Sequence, residues 1–269
     1  MKNNNKIFRK KVKITGNLVF ETAFHIGSGK EGELATDMGV LLERDGRPIL
    51  PGSSLKGNFR SFAERLAGYL GLKACLLDSD LSGVKCVSDE TYRKGVYEEF
   101  KEIKQERKKL EWLQDHVCDV CSLFGSPLQA SRIFFSDGLL LEWGRGLQVR
   151  DGVCIDRDTE TARHGAKYDF EVVPRGAAFK ITIEIENPED YELALVGAAL
   201  AEWEHGFRLG GFTSRGLGKV CFTDRKVEKT DYTDAEQLMD YLISHKMTPA
   251  DSLLDKSLED QLLNGGNHA

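Results

Sequence analysis

Apolar and polar residues alternate from the start of the readable chain. Val12, Ile14, Leu18 and Phe20 keep the spacing of a half-buried strand and predict a first strand within residues 11–22. Residues 27–39 are polar and glycine-loaded and read as a loop. Segments 39–43 and 47–50 flank Asp45-Gly46, a hairpin turn signal. Pro51-Gly52-Ser53-Ser54 halts the extended chain and offers a serine cap to a helix. In that helix Leu55, Phe59, Phe62, Ala63, Leu66 and Leu70 recur at helical spacing, with Lys56 and Arg60 on the other side. Further on, 133–135 and 139–141 read as strands, and Phe179, Ile181, Ile183 and Ile185 alternate strictly. Asn187-Pro188 opens a helix carrying Leu195, Leu200 and Trp203 that stops at Gly206, and 219–222 is a closing strand.

This order, strand, helix, two strands, helix, strand, predicts an α+β fold with a ferredoxin-like (RRM-like) βαββαβ core. Residues 71–131 stand outside it as an inserted helical region. Within them 89–115 reads as one long, charged helix with Tyr92, Val96, Phe100, Ile103, Leu110 and Leu113 as its apolar stripe. The core domain is expected over 1–225. Residues 226–269 form an acidic tail with one helix, 234–244, and are expected to be partly disordered.

With 269 residues and 41% apolar content, a core can form without disulfides. No apolar run approaches the ~18 residues of a membrane span. The basic start, residues 1–6, has no apolar stretch after it, so no secretory signal is expected and the cytoplasm is the expected compartment. The net charge of −6 is unevenly spread. Nine acidic and four basic residues after position 225 account for −5 of it, leaving the core near neutral. Total charge therefore does not decide for or against RNA, because affinity follows local Lys and Arg patches.

Six cysteines in a reducing compartment point to a metal site or to burial rather than to disulfides. Cys118-x-x-Cys121 has the bite of a zinc knuckle, and Cys75 and Cys86 would complete a Cys₄ site. His116 offers a Cys₃His alternative, and metal-free thiols are the plain reading. Structural Zn²⁺ here would pin both ends of the insertion. Cys154 and Cys221 lie in strand signals and are expected in the core.

The segment from Phe24 to Arg60 sets a glycine loop and a lone acid, Asp37, before a helix start bearing Ser53, Ser54, Lys56 and Arg60. Such a helix start suits a phosphate. An ordinary capped helix with solvated cations is the alternative.

Pro51-Gly-Ser-Ser-Leu-Lys-Gly-x-x-Arg60 after a glycine loop resembles the signature of the RAMP superfamily of CRISPR proteins, and more narrowly the backbone subunit of type III effector complexes. Two further segments are similar to that family's elements: Cys118-x-x-Cys-x-Leu-Phe-Gly125 and the loop Gly210-Gly-Phe-Thr-Ser-Arg-Gly-Leu-Gly-Lys219. Ile155-Asp156-Arg157 with Tyr168-Asp169-Phe170-Glu171 looks like its protruding hairpin, expected over 144–172. The resemblance implies an antiviral-defence ribonucleoprotein subunit that holds CRISPR guide RNA beside neighbouring copies, paralogous RAMP subunits and other type III effector subunits. It implies cleavage of complementary target RNA by a metal-dependent endoribonuclease, with Asp37 at the catalytic position and Mg²⁺ or Mn²⁺ bound along with RNA. Glu31 and Glu33 share that loop. Guide contacts are expected from Ser53, Ser54, Lys56 and Arg60, then from Arg215 and Lys219, as one continuous cationic cradle. The alternatives are a non-catalytic scaffold and a metal-independent guide-processing endoribonuclease using His25, which is otherwise structural.

Overall fold

A computed structural model describes residues 7–31 and 37–265. Alternation over Lys10–Phe20 yields strand β1, which buries Val12, Ile14, Leu18 and Phe20 and turns Lys11, Lys13, Thr15 and Asn17 to the other face. Two short strands follow, β2 (Gly27–Glu31) and β3 (Met38–Val40), then helix α1 (Gly52–Ala67). The next segment holds α2 (Ser79–Ser82), α3 (Glu90–Glu102), α4 (Glu106–His116) and α5 (Asp119–Phe124). Strands resume with β4 (Ile133–Phe135), β5 (Leu139–Glu142), β6 (Gln148–Ile155), β7 (Ala162–Val172) and β8 (Ala178–Glu186). After them come α6 (Asp190–His205), β9 (Phe207–Arg208) and β10 (Lys219–Asp231). The described chain ends with α7 (Ala235–Ser244), β11 (Thr248–Pro249) and α8 (Leu253–Gly265).

The larger sheet is antiparallel and runs β11-β10-β1-β8-β4, with β5 also on β8 and β9 on β10. A second sheet runs β2-β3-β7-β6, and in it β3 meets β7 in parallel at Met38 and Phe170. The fold is α+β with antiparallel pairing dominant. Helices α1 and α6 pack together over the apolar face of the larger sheet. Trp203 of α6 joins the layers: it meets Phe59 of α1 edge-on at 4.9 Å and stacks on Phe207 at 4.4 Å. Its indole N–H donates to Asn58 Oδ1 (3.1 Å), so the polar handle of the ring is satisfied. Buried Arg132 pairs with buried Glu192, tying the approach to β4 to the first turn of α6.

Several local expectations change. The serines do not cap α1. The helix begins at Gly52, whose N–H donates to Asp137 Oδ1 (2.6 Å), so a carboxylate 85 residues away caps it. A side chain at Gly52 would stand 2.5 Å from the Phe135 carbonyl, which is why this position is glycine. The Asp45-Gly46 hairpin is a turn with one isolated bridge, Leu42 to Pro48, because proline lacks the N–H that would extend a ladder.

Segment 89–115 is two helices, broken where Ile103 becomes extended. Twelve residues of one straight helix would hold Phe100 and Trp112 about 18 Å apart along its axis. Folding back brings their rings to 5.1 Å and builds a small core with Val87 and Leu113. Cys154 is exposed because both faces of edge strand β6 are exposed, and Cys221 is half-buried because it alternates with core-facing Val220 and Phe222 in β10.

The chain after 225 carries regular structure through residue 265, and position 225 lies inside β10. Leu254 is fully buried, and Gly197 of α6 lets α8 close in: a Cβ there would stand 2.9 Å from the Leu254 carbonyl. Arg225 clamps the acidic segment by pairing with Asp255 (2.8 Å) and Glu204 (3.4 Å). Leu254→Ala is expected to cost about 2–5 kcal/mol in chemical denaturation, as for other buried leucines. A midpoint unchanged at constant slope would mean that α8 adds nothing to the core.

Candidate nucleic-acid interface and metal centre

Two sites emerge around α1, and a third group of residues gathers on β7. On α1, Ser53, Gly57 and Ser61 form an exposed stripe, with Ser54, Lys56, Asn58 and Arg60 half-buried along its flanks. Lys56 reaches away from solvent to donate to Ser131 Oγ (2.7 Å) and the Ile133 carbonyl (3.3 Å). Burial, then the neighbouring Arg60 charge, hold its amine below the ordinary lysine value. Among the described residues no carboxylate pairs with it. Arg60 is differently placed: Nε pairs with Glu64 (2.8 Å) and Nη2 donates to Cys121 Sγ (3.1 Å). Burial works against its charge, but Glu64 and the Cys121 sulfur outweigh that and raise its pKa.

Arg215 and Lys219 are held elsewhere. Arg215 donates to the Tyr168 hydroxyl and lies over the Phe212 ring, while Lys219 pairs with Glu21 at 2.6 Å. Asn58 reports the geometry between the two pairs. Its amide donates to the Arg208 carbonyl of β9 (3.0 Å), and Arg208 is paired in register with Lys219. Residues 56 and 58 point about 200° apart around a helix. Lys56 and Asn58 therefore leave opposite sides of α1 with the exposed stripe between them. Lys219 alternates with core-facing Val220 and is held by Glu21, and Arg215 is held on Tyr168, both apart from α1.

The glycines of the second loop answer mainly to the chain itself. Gly210 (φ +93°) and Gly218 (φ +73°) are left-handed, and side chains there would meet the carbonyls of His25 at 2.4 Å and Leu209 at 2.1 Å. Buried His25 is part of the same junction. Its Nδ1 donates to the Glu171 carbonyl (2.7 Å), and its carbonyl accepts from Gly211 N–H (2.8 Å).

Asp37 is exposed at the start of β3, and a reciprocal pair fixes it. Its N–H donates to Asp169 Oδ1 (2.8 Å), and its own Oδ2 accepts from Asp169 N–H (3.0 Å). Each carboxylate thus spends one oxygen on the other's backbone and keeps one. Nothing local in the sequence announced Asp169, because its partner lies 132 residues earlier. Glu33 falls outside the described residues.

The four cysteines expected as ligands come together. Cys75, Cys86, Cys118 and Cys121 are all buried, and their sulfurs lie within 4.8 Å of one another. Cys75 and Cys121 Sγ are 3.6 Å apart. Tetrahedral Zn–S bonds of about 2.3 Å would set sulfurs about 3.8 Å apart, so the cluster fits such an ion and could hold one. Hydrogen bonds from Cys118 and then Cys75 lower Cys121 to about 7 and leave Cys118 raised. Four touching sulfurs cannot all ionise without a cation among them. His116 is not in the cluster: it stacks on Trp112 at 3.7 Å and donates from Nδ1 to the Trp112 carbonyl (2.7 Å).

Among the described residues no helix is long and apolar enough to cross a membrane. The chain is similar to the protein named CRISPR system Cms endoribonuclease Csm3 from Methanocaldococcus jannaschii, 28% identical over 242 residues that cover 83% of each chain. The protein of the same name from Streptococcus thermophilus is 28% identical over 241 residues, covering 80% of this chain and 89% of that one. The one from Methanothermobacter thermautotrophicus is 24% identical over 254 residues, covering 82% and 87%. The RAMP superfamily pattern matches residues 17–221, which span both glycine loops, α1 and the cysteine cluster. The chain belongs to the RAMP superfamily.

Proposed function

We propose that this chain is a guide-RNA-binding backbone subunit of a type III CRISPR ribonucleoprotein, and that it cleaves complementary target RNA. Relatives named as CRISPR endoribonucleases align with more than three-quarters of it. On the structure, the observation that carries the reading is Lys56: a half-buried cation with no carboxylate partner among the described residues, beside the exposed stripe of α1. A sugar–phosphate strand laid along Ser53, Gly57 and Ser61 would supply the missing negative charge. The guide contact on α1 would come from Lys56 with Ser53 and Ser54, and Arg215 and Lys219 of the second glycine loop would be separate contacts further along the strand. Its partners would be guide RNA, target RNA, neighbouring or paralogous RAMP subunits and other effector subunits.

The strand order β10-β1-β8-β4 supports a ferredoxin-like core whose last strand runs through position 225 to Asp231; 71–131 would be a zinc-binding insertion and 144–172 a projecting hairpin. Asp37 is the proposed catalytic carboxylate, held in place by Asp169. Bound with RNA, Mg²⁺ or Mn²⁺ would stabilise charge developing on the scissile phosphate. Asp37 would accept the proton of a ribose 2′-hydroxyl as that oxygen bonds to the adjacent phosphorus. The bond to the 5′-oxygen breaks, leaving a 2′,3′-cyclic phosphate and a 5′-hydroxyl once that oxygen takes up a proton. His25 suits this chemistry poorly, being buried with Nδ1 committed to a carbonyl.

The guide-binding reading is tested by Lys56→Ala. Affinity for guide RNA should fall regardless of sequence, and the salt dependence should flatten by about one phosphate contact. Filter binding across a salt series checks it, and an unchanged slope would remove Lys56 from the interface.

A further inference from the structure

Arg60 shows a contact that a guide-binding role does not explain. Its Nη2 lies 3.1 Å from Cys121 Sγ, inside the protein, and Ser88 Oγ donates to the same sulfur at 3.1 Å. Glu64 holds the other edge of the guanidinium (2.8 Å), and the Arg60 side chain is only 21% exposed. Four thiolates around a divalent zinc leave a net charge of −2 in a buried place, and such a charge needs a cation nearby. Among the described residues Arg60 is the cation in hydrogen-bonding contact with the cluster.

We infer that Arg60 is a positioning residue of the metal centre: with Ser88 it donates to the Cys121 sulfur and balances the charge of a four-thiolate site, rather than serving chiefly as a guide contact. The inference rests on the zinc reading proposed above. An N–H···S hydrogen bond draws electron density from sulfur and fixes its direction, and partners of this kind are worth about 10–100-fold in metal affinity. Glu64 fixes the guanidinium plane so that one edge faces the sulfur.

The test uses the full chain, loaded with zinc or with cobalt(II) as a coloured probe. Arg60→Gln should weaken zinc binding in chelator competition by about 10–100-fold. It should also move the sulfur-to-cobalt charge-transfer band to lower energy, because the sulfur keeps more electron density. Ser88→Ala should shift both in the same direction by less, and it serves if Arg60→Gln does not fold. Wild-type protein that binds zinc while both variants bind it equally well, with unmoved bands, would overturn the inference alone. Wild-type protein that takes up neither metal would overturn the zinc reading and the inference with it. Guide affinity at saturating zinc is read separately: its loss in Arg60→Gln with metal affinity intact would make Arg60 an RNA contact and defeat the inference.

Discussion

Asp37→Ala should lower cleavage of complementary RNA by about 10²–10⁴-fold, the range for loss of a positioned general base. Guide binding and assembly should be unchanged. The reciprocal pair with Asp169 explains why the second half is expected: Asp37 bonds to β7 and not to α1, and β3 meets β7 through one register pair. Asp169→Asn separates the two carboxylates. Its amide oxygen can still accept from Asp37 N–H, so the loop stays placed while one negative charge goes. The loss should therefore be smaller than for Asp37→Ala. The assay is cleavage of a labelled complementary RNA by the assembled complex with saturating Mg²⁺ or Mn²⁺. A fully assembled Asp37→Ala complex that still cuts at regular intervals would show that the carboxylate lies elsewhere.

Removing the metal ligands should have the largest effect on stability. Cys118→Ser with Cys121→Ser takes two of four sulfurs from a cluster that joins three separate stretches of chain, at 75, 86 and 118–121. Structural zinc contributes about 10–16 kcal/mol in small zinc-dependent folds, so little would remain to order the insertion. Helix α5 also carries buried Val120, Leu123 and Phe124, and its displacement would loosen the contact between Phe124 and Phe59. The expected result is one zinc per chain in tag-free wild-type protein and none in the double variant. Early proteolysis within 71–131 and a lowered melting temperature should follow. Elemental analysis with limited proteolysis reads both. Wild-type protein with well below one zinc per protomer would leave a cluster of buried thiols and no metal centre.

Local sequence was enough for the elements whose pattern repeats over many residues. The alternation in β1 and β8 and the helical spacing of α1 were legible because burial on one face imposes a period on the side chains. The cysteines were legible for a different reason: ligand chemistry restricts which residue types can serve, and Cys118-x-x-Cys121 sets their spacing. The order of the chain after position 225 was less legible because its composition is polar, whereas one buried leucine, a glycine in α6 and the Arg225 clamp hold it to the core.

The sequence by itself determined an α+β chain with two glycine loops, a cation-bearing helix and a cysteine set of metal-binding type. Only the tertiary structure decided which of these residues meet. It gave Asp37 its partner Asp169, gave α1 its cap in Asp137, turned Arg60 towards Cys121 and split the insertion helix so that Phe100 could reach Trp112. These are contacts between side chains and groups distant along the chain or folded back on it. Neither periodicity nor motif spacing encodes them, because both describe neighbours in sequence, while hydrogen bonds and packing are settled by neighbours in space.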